Sequence, residues 1–127
     1  MGLRRVVSEL RQIAVIVEDE WLVRMEIADA LEAENWEVKE FATGEDAVAW
    51  LASAPASVDL LVSDIRLAGP LTGWSVARDY RAKYPKVGVI YVSANPNDPQ
   101  KSVSGGVFLS KPCAMEKLVE VGRALTA

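Results

Sequence analysis

Residues 13–20 read Ile-Ala-Val-Ile-Val-Glu-Asp-Glu, a run of five apolar and mostly β-branched residues that stops at three consecutive acids. A run of this length and composition is typical of a strand buried on both faces of a parallel sheet. The pattern recurs at residues 60–64, Leu-Leu-Val-Ser-Asp, where an apolar run again ends at an acid. Other elements must pack against both apolar faces of such a sheet, and the segments between the apolar runs are the candidates.

Helical periodicity fills the segments between the apolar runs. From Leu22 to Leu31, apolar residues recur at three- and four-residue spacing with charges between them, which predicts an amphipathic helix. Thr43 to Asp46 resembles a capping box that opens a second helix, and a third helix is predicted around Trp74. Further strands are predicted at 36–41, 87–92 and 107–109, followed by a C-terminal helix. The alternation predicts an α/β fold with three layers, a doubly wound five-stranded parallel sheet with helices on both faces.

Composition and charge narrow the functional classes. The 127 residues are 50% hydrophobic and contain 14 Lys plus Arg against 18 Asp plus Glu, a net charge of −4. One globular domain without a basic stripe is expected, so we predict no nucleic-acid binding by this chain. No apolar stretch is long enough for a membrane span, and the single cysteine favours a reducing, cytoplasmic location. The tryptophans are expected to be packing residues: Trp21, Trp36, Trp50 and Trp74.

Polar side chains follow four of the five predicted strands. They are Glu18 and Asp19, then Asp64, Ser93 and Lys111. The carboxyl ends of parallel strands meet at one edge, where doubly wound sheets bind their ligands. Three crowded carboxylates repel one another unless a cation lies among them, and hard oxygen ligands suit Mg²⁺. Acids after a strand are also common as solvated loop residues, which is the alternative for the first two.

The chain contains no histidine, so its chemistry must run on carboxylates, lysine, hydroxyls and backbone groups. Asp64, Ser93 and Lys111 have the parts for covalent phosphorylation of a carboxylate. In this hypothesis Asp64 is the nucleophile, Lys111 and Mg²⁺ neutralise phosphoryl oxygens, and Ser93 donates a hydrogen bond to one of them.

Four segments resemble the receiver domain of two-component response regulators. They read Val-Ile-Val-Glu-Asp-Glu (15–20), Leu-Leu-Val-Ser-Asp-Ile-Arg-Leu (60–67), Val-Ile-Tyr-Val-Ser-Ala (89–94) and Phe-Leu-Ser-Lys-Pro (108–112). The resemblance covers the chain from residue 12 onward and implies a receiver domain at 12–127 after an N-terminal extension at 1–11. It also implies the strand order 2-1-3-4-5.

The resemblance implies a bacterial phosphorelay switch, not a turnover enzyme. Asp64 would take phosphate from a histidine kinase or a histidine phosphotransfer protein, and the signal would pass to a downstream protein. Asp19, Asp64 and the backbone carbonyl of Arg66 would ligate Mg²⁺, with Glu18 acting through water or a neighbouring ligand.

The resemblance also assigns the residues that move and the residues that set the phosphoryl lifetime. Ser93 would move toward the phosphoryl group, and Phe108 would turn inward to fill the space left behind. Arg66 and Asn95 occupy positions that tune hydrolysis in the family. The bond between Lys111 and the following proline would be cis.

Two segments depart from the family pattern. The loop after Asp64, at 66–73, is about one residue longer than usual. From Ser93 to Lys111 the chain is shorter than usual by roughly one helical turn, and it is rich in Pro, Asn, Asp and Gly. These residues predict that the usual fourth helix is shortened or replaced by a loop, which puts its part in output and dimerisation in question.

Three other kinds of protein are alternatives to the receiver hypothesis. A phosphatase of the haloacid dehalogenase type needs a second acid two residues after its nucleophile, where Arg66 stands. A nucleotide- or flavin-binding protein needs a Gly- or hydroxyl-rich loop after the first strand, where the acids 18–20 stand. A receiver-like interaction module that no longer switches remains open. Because the chain ends with its C-terminal helix, we expect a single-domain regulator or a receiver segment of a larger protein such as a hybrid kinase.

Overall fold

Strands and helices alternate along the chain in a computed structural model that describes residues 11–94 and 98–127. The strands are β1 Ile13–Val17, β2 Glu37–Phe41, β3 Leu60–Ser63, β4 Gly88–Ser93 and β5 Val107–Ser110. The described α-helices are α1 Trp21–Ala33, α2 Gly44–Trp50, α3 Gly73–Lys83 and α4 Met115–Leu125. Short 3-10 turns lie at Leu51–Ser53 and Pro99–Lys101. None of the described helices is both long and apolar enough to cross a membrane.

The five strands form one parallel sheet in the order β2-β1-β3-β4-β5, which confirms the predicted order. Val17, the last residue of β1, is in register with Ser63, the last residue of β3. Ser93 and Ser110 likewise end β4 and β5 side by side. The residues that follow these positions therefore emerge at the same edge of the sheet, as the carboxyl-edge rule requires.

Helices cover both faces of the sheet and complete the three predicted layers. Helices α2 and α3 pack against one face through strand residues such as Val15, Leu61 and Val89. Helices α1 and α4 pack against the other face, where Ile16 and Ile90 lie. Neighbouring strand residues thus face opposite layers. Strands β3 and β4 are buried at every position, and β1 at every position after Ile13, because helices cover both faces of the sheet.

The start of α3 lies directly against the peptide that carries Asp64. Thr72 caps the helix: its hydroxyl accepts from the Ser75 amide at 3.3 Å, and the Ser75 hydroxyl accepts from the Thr72 amide at 3.1 Å. The Gly73 amide donates to the Ile65 carbonyl at 2.8 Å. A Cβ at Gly73 would lie 2.1 Å from the Asp64 carbonyl oxygen, so only glycine permits this approach.

The prediction that the helix between β4 and β5 is shortened or replaced by a loop is confirmed for the described residues of that segment, 98–106. Their regular structure is the 3-10 turn Pro99–Lys101, which follows Asp98 in the left-handed conformation at φ 58°. Pro99 has no amide proton and a fixed φ, so it can open a helical turn but cannot occupy a helix interior.

Two details of α1 correct the sequence-based expectations. Trp21 is 61% exposed and Leu22 is 55% exposed, although both were expected to pack. The face of α1 that meets the sheet is set by Ile27, Ala28 and Leu31. Leu22 precedes Ile27 by five residues, which places it about 140° away around the helix axis. Trp36 and Trp74 are buried and Trp50 is partly buried, as predicted.

Candidate functional site

The strand ends assemble a shallow cavity of about 280 Å³, termed here the site cavity. Its walls include five of the residues singled out from the sequence: Asp19, Asp64, Arg66, Ser93 and Lys111. Glu18 lies beneath it, 1% exposed. The register of β1, β3, β4 and β5 brings these groups together, so the predicted convergence at one edge of the sheet is found.

The Lys111 ammonium group lies among the acids. Its Nζ is 2.7 Å from Glu18 Oε1 and 2.8 Å from Asp64 Oδ2, and Glu20 Oε1 is 3.7 Å away. The Lys111 side chain is 15% exposed and that of Asp64 is 9% exposed, so these contacts are shielded from water and are stronger than surface ion pairs.

Burial and charge shift the ionisation of this cluster. Burial raises the pKa of Glu18 above its ordinary value and outweighs the opposing contact with Lys111. Burial alone would lower the pKa of Lys111, but hydrogen bonds to Asp64 and Glu18 outweigh it, so the net pKa is raised. The ammonium group therefore stays charged across the physiological range and compensates the neighbouring carboxylates.

The acidic cluster has the donor set of a hard cation site. One carboxylate oxygen from each of Glu18, Asp19 and Asp64 lies within 4.8 Å of the others. Asp19 is exposed and Asp64 borders the site cavity, so an ion can reach them from solvent. Clustered carboxylates with open access match the preference of divalent cations that bind through one or two carboxylates and keep water ligands.

Backbone contacts hold the acids in place. The Glu20 amide donates to Glu18 Oε2 at 3.1 Å, and the Arg66 amide donates to Asp64 Oδ1 at 3.1 Å. Arg24 Nη1 donates to the Glu18 carbonyl at 2.7 Å. Sequence reasoning missed Glu20 and Arg24. No local pattern indicates the Arg24 contact, because it depends on where α1 places this side chain relative to the Glu18 carbonyl.

The remaining predicted residues lie around the cavity. Ser93 is 3% exposed and borders it. Phe108 is half-buried on β5, against the ring of Tyr91. The Arg66 side chain is exposed, and the peptide bond that follows Lys111 is cis, as the resemblance implies. The predicted role of Asn95 lies outside the described residues.

The loop after Asp64 is attached to α2. Glu45 Oε2 accepts from the Leu71 amide at 3.4 Å, a long hydrogen bond. Gly69 has φ +90°, and a Cβ there would lie 2.7 Å from the same oxygen, so the carboxylate rests against the Gly69 backbone. The loop is therefore anchored beside the site cavity.

Comparison with known protein families and structures agrees with this geometry. The family described as "Response regulator receiver domain" matches residues 14–123. The receiver domain of the hybrid histidine kinase CckA superimposes with a TM-score of 0.79 at 29% identity, over 91% of this chain and 99% of that one. A response regulator receiver protein from Sinorhizobium medicae superimposes with a TM-score of 0.87 at 24% identity, over 93% of this chain and 96% of that one.

Two curated proteins are similar in sequence over 82% of this chain. The sensor kinase CckA of Brucella abortus is 31% identical over 110 residues, which are 11% of its length. The transcriptional regulatory protein CssR of Bacillus subtilis is 30% identical over 108 residues, which are 46% of its length. The similarity thus spans less than half of either relative.

Proposed function

This chain belongs to the response regulator receiver domain family, and on that premise we propose that Asp64 accepts a phosphoryl group and thereby switches the conformation of the domain. The donor is a histidine kinase or a histidine phosphotransfer protein. Because the chain contains no histidine, the phosphohistidine must lie on another polypeptide or on a part of the protein outside this sequence.

The position of Lys111 against Asp64 is the observation that carries the proposal. Nζ lies 2.8 Å from Asp64 Oδ2 beside a cavity that is open to solvent, so a phosphoryl group attached to Asp64 would meet a fixed positive charge. In the transfer, an oxygen of Asp64 attacks phosphorus while the phosphorus–nitrogen bond of the donor histidine breaks. The bonding electron pair stays on the imidazole nitrogen, and Lys111 compensates charge on the phosphoryl oxygens.

Mg²⁺ is the proposed metal, held by Asp19, Asp64 and the backbone carbonyl of Arg66, with Glu18 supporting it from beneath. When bound, it neutralises charge on the phosphoryl oxygens. The close approach of three carboxylate oxygens supports this assignment, because their mutual repulsion in the absence of a cation is only partly compensated by Lys111.

The chain is proposed to act as a switch with one phosphoryl group per molecule. Ser93 moves toward the phosphoryl group and donates a hydrogen bond to it, and Phe108 turns inward behind it. The side chains of Arg66 and Asn95 set how fast water removes the phosphoryl group. The intact set of acids, hydroxyl and lysine supports this function over that of a receiver-like module that has lost its switch.

Bacterial two-component signalling is the proposed setting. The similar curated proteins are a sensor kinase and a transcriptional regulatory protein from bacteria, so a kinase-type donor and a downstream protein target fit this chain. A kinase donor draws its phosphoryl group from ATP, so the proposed location of the reaction is the cytoplasm.

Phosphorylation by a small acyl phosphate tests this function directly. We expect the intact mass to rise by one phosphoryl group when acetyl phosphate and Mg²⁺ are both present, and the Asp64→Asn variant to gain nothing. Asp59→Asn is a matched control, because Asp59 lies at the opposite end of β3 and accepts from the Ile13 amide at 2.9 Å. Equal labelling of the Asp64 variant would overturn the assignment.

A further inference from the structure

We propose that Tyr91 transmits the phosphorylation state of Asp64 to residues 102–106, termed here the 102–106 segment. This segment lies where the family has a helix. The inference rests on the proposed function, since it requires Phe108 to move when Asp64 is phosphorylated. It goes beyond that function by naming the residue that carries the signal out of the sheet and the backbone that receives it.

Tyr91 is a neighbour of both residues proposed to switch, Ser93 and Phe108. It precedes Ser93 by two positions on β4, so both side chains point to the same face of the sheet. It is in register with Phe108 on β5, and the two rings stack at a centroid distance of 5.0 Å and an interplanar angle of 20°. Trp74 of α3 contacts both rings, at 4.8 Å and 5.5 Å.

The hydroxyl of Tyr91 is bonded to the 102–106 segment. Its Oη accepts from the Val103 amide at 3.1 Å, and the ring is fully buried. A Cβ at Gly106 would lie 2.8 Å from Cε2 of Tyr91, so the backbone of the segment rests directly on the ring. Arg81 of α3 holds the same segment from outside, because its Nη1 donates to the Ser104 carbonyl at 2.9 Å.

This packing couples Phe108 to the segment. If Phe108 moves toward the space beside Ser93, it must slide along the Tyr91 ring with which it is stacked. Trp74 packs against one side of the Tyr91 and Phe108 rings, and the 102–106 segment packs against another side of Tyr91. A close-packed interior has few voids, so a shift of one ring displaces its neighbours. The bond between Tyr91 and Val103 is then strained or broken, and the segment loosens. No helix is needed at this position for the signal to leave the site.

Hydrogen exchange of the segment tests the coupling. Backbone amides in peptides that cover 98–106 are followed with Mg²⁺ alone and with Mg²⁺ plus beryllofluoride, a mimic of the phosphoryl group. Beryllofluoride is expected to speed exchange of the 102–106 amides by roughly fivefold, the effect of losing one net hydrogen bond. In Tyr91→Phe the same amides are expected to exchange fast already with Mg²⁺ alone and to respond no further. Fluorine NMR reports separately whether beryllofluoride is bound.

Tyr84→Phe is the matched control. It removes a hydroxyl that donates to the Pro55 carbonyl at 2.8 Å, away from the site cavity and the 102–106 segment. In this variant, exchange of the 102–106 amides is expected to respond to beryllofluoride as it does in the unsubstituted protein. Bound beryllofluoride with unchanged exchange at 102–106, or a full response in Tyr91→Phe, would overturn the inference while leaving phosphorylation intact. Failure of beryllofluoride to bind would overturn the proposed function, and this inference with it.

Discussion

Replacement of Gly73 by alanine should damage stability and phosphorylation together. The added Cβ would lie 2.1 Å from the Asp64 carbonyl oxygen, 2.8 Å from Ile65 Cα and 2.9 Å from the Asp64 carbonyl carbon. Ordinary contacts between such atoms are about 3.5 Å, so the α3 start and the Asp64 peptide must separate by roughly 1 Å. All three atoms belong to backbone, so no side-chain rotation relieves the overlap.

The energetic cost of Gly73→Ala follows from these distances. Overpacking at a rigid site costs about 2–3 kcal/mol, and weakening the bond from the Gly73 amide to Ile65 adds about 1 kcal/mol. Alanine has a lower backbone entropy than glycine in the unfolded chain, which offsets about 0.5–1 kcal/mol of this destabilisation. The free energy of unfolding should therefore fall by about 3 kcal/mol, which lowers Tm by roughly 10 °C for a domain of this size.

Urea denaturation and the phosphorylation rate measure the two effects. Because the displaced peptide belongs to Asp64, we expect Gly73→Ala to accept phosphate from acetyl phosphate more slowly even at temperatures where it is fully folded. Gly122→Ala is the matched control in α4, where the new Cβ would meet a movable side-chain atom, Leu60 Cδ2, at 3.1 Å. A Gly73→Ala protein that matches Gly122→Ala in stability and phosphorylation rate would show that the Gly73 contact with the Asp64 peptide is not required.

Three further outcomes are expected. Tyr80→Phe should lower the free energy of unfolding by about 1–2 kcal/mol in urea denaturation, because the buried Ala47 carbonyl loses the hydroxyl that donates to it at 2.7 Å. An unchanged midpoint would contradict this. Lys111→Ala should bind Mg²⁺ at least as tightly as the unsubstituted protein in calorimetry, since the ammonium group competes for the Asp64 carboxylate. The same variant should lose the hydrogen-exchange response to beryllofluoride. Equal loss of Mg²⁺ binding and of this response would contradict the separate roles of Lys111 and the metal ligands. Burial raises the pKa of the Cys113 thiol, so the folded protein contains less thiolate than the unfolded chain near the ordinary thiol pKa of about 8.5. Iodoacetamide should therefore alkylate the folded protein more slowly than the urea-unfolded chain, and the difference between the two rates should narrow as pH rises. Equal rates near neutral pH would contradict this.

Much of the fold could be predicted because its signals are local. The apolar runs that end at Glu18 and Asp64 identify buried parallel strands, and parallel strands dictate where their carboxyl ends meet. The order of the sheet depended on the resemblance to a known family. The Pro and Gly content after Ser93 was sufficient to predict that the usual helix is shortened or replaced by a loop, since Pro99 cannot lie in a helix interior. The described residues 98–106 contain only a 3-10 turn.

The details of the site could not be predicted, because they depend on side chains from different elements. Periodicity predicted that Leu22 lies on the packed face of α1. In the structure Ile27, Ala28 and Leu31 form that face, and Leu22 is exposed to solvent. The bond from Arg24 to the Glu18 carbonyl and the stack of Tyr91 on Phe108 depend on helix placement and strand register, which no single segment encodes.

The most direct test of the central claim locates the phosphoryl group on the chain. The protein is treated with acetyl phosphate and Mg²⁺, the acyl phosphate is reduced with borohydride, and tandem mass spectrometry identifies the aspartate converted to homoserine. We expect one conversion, at Asp64, which is lost when Mg²⁺ is removed. Conversion at Asp19 or another acid, or none in a folded protein that binds Mg²⁺, would contradict it.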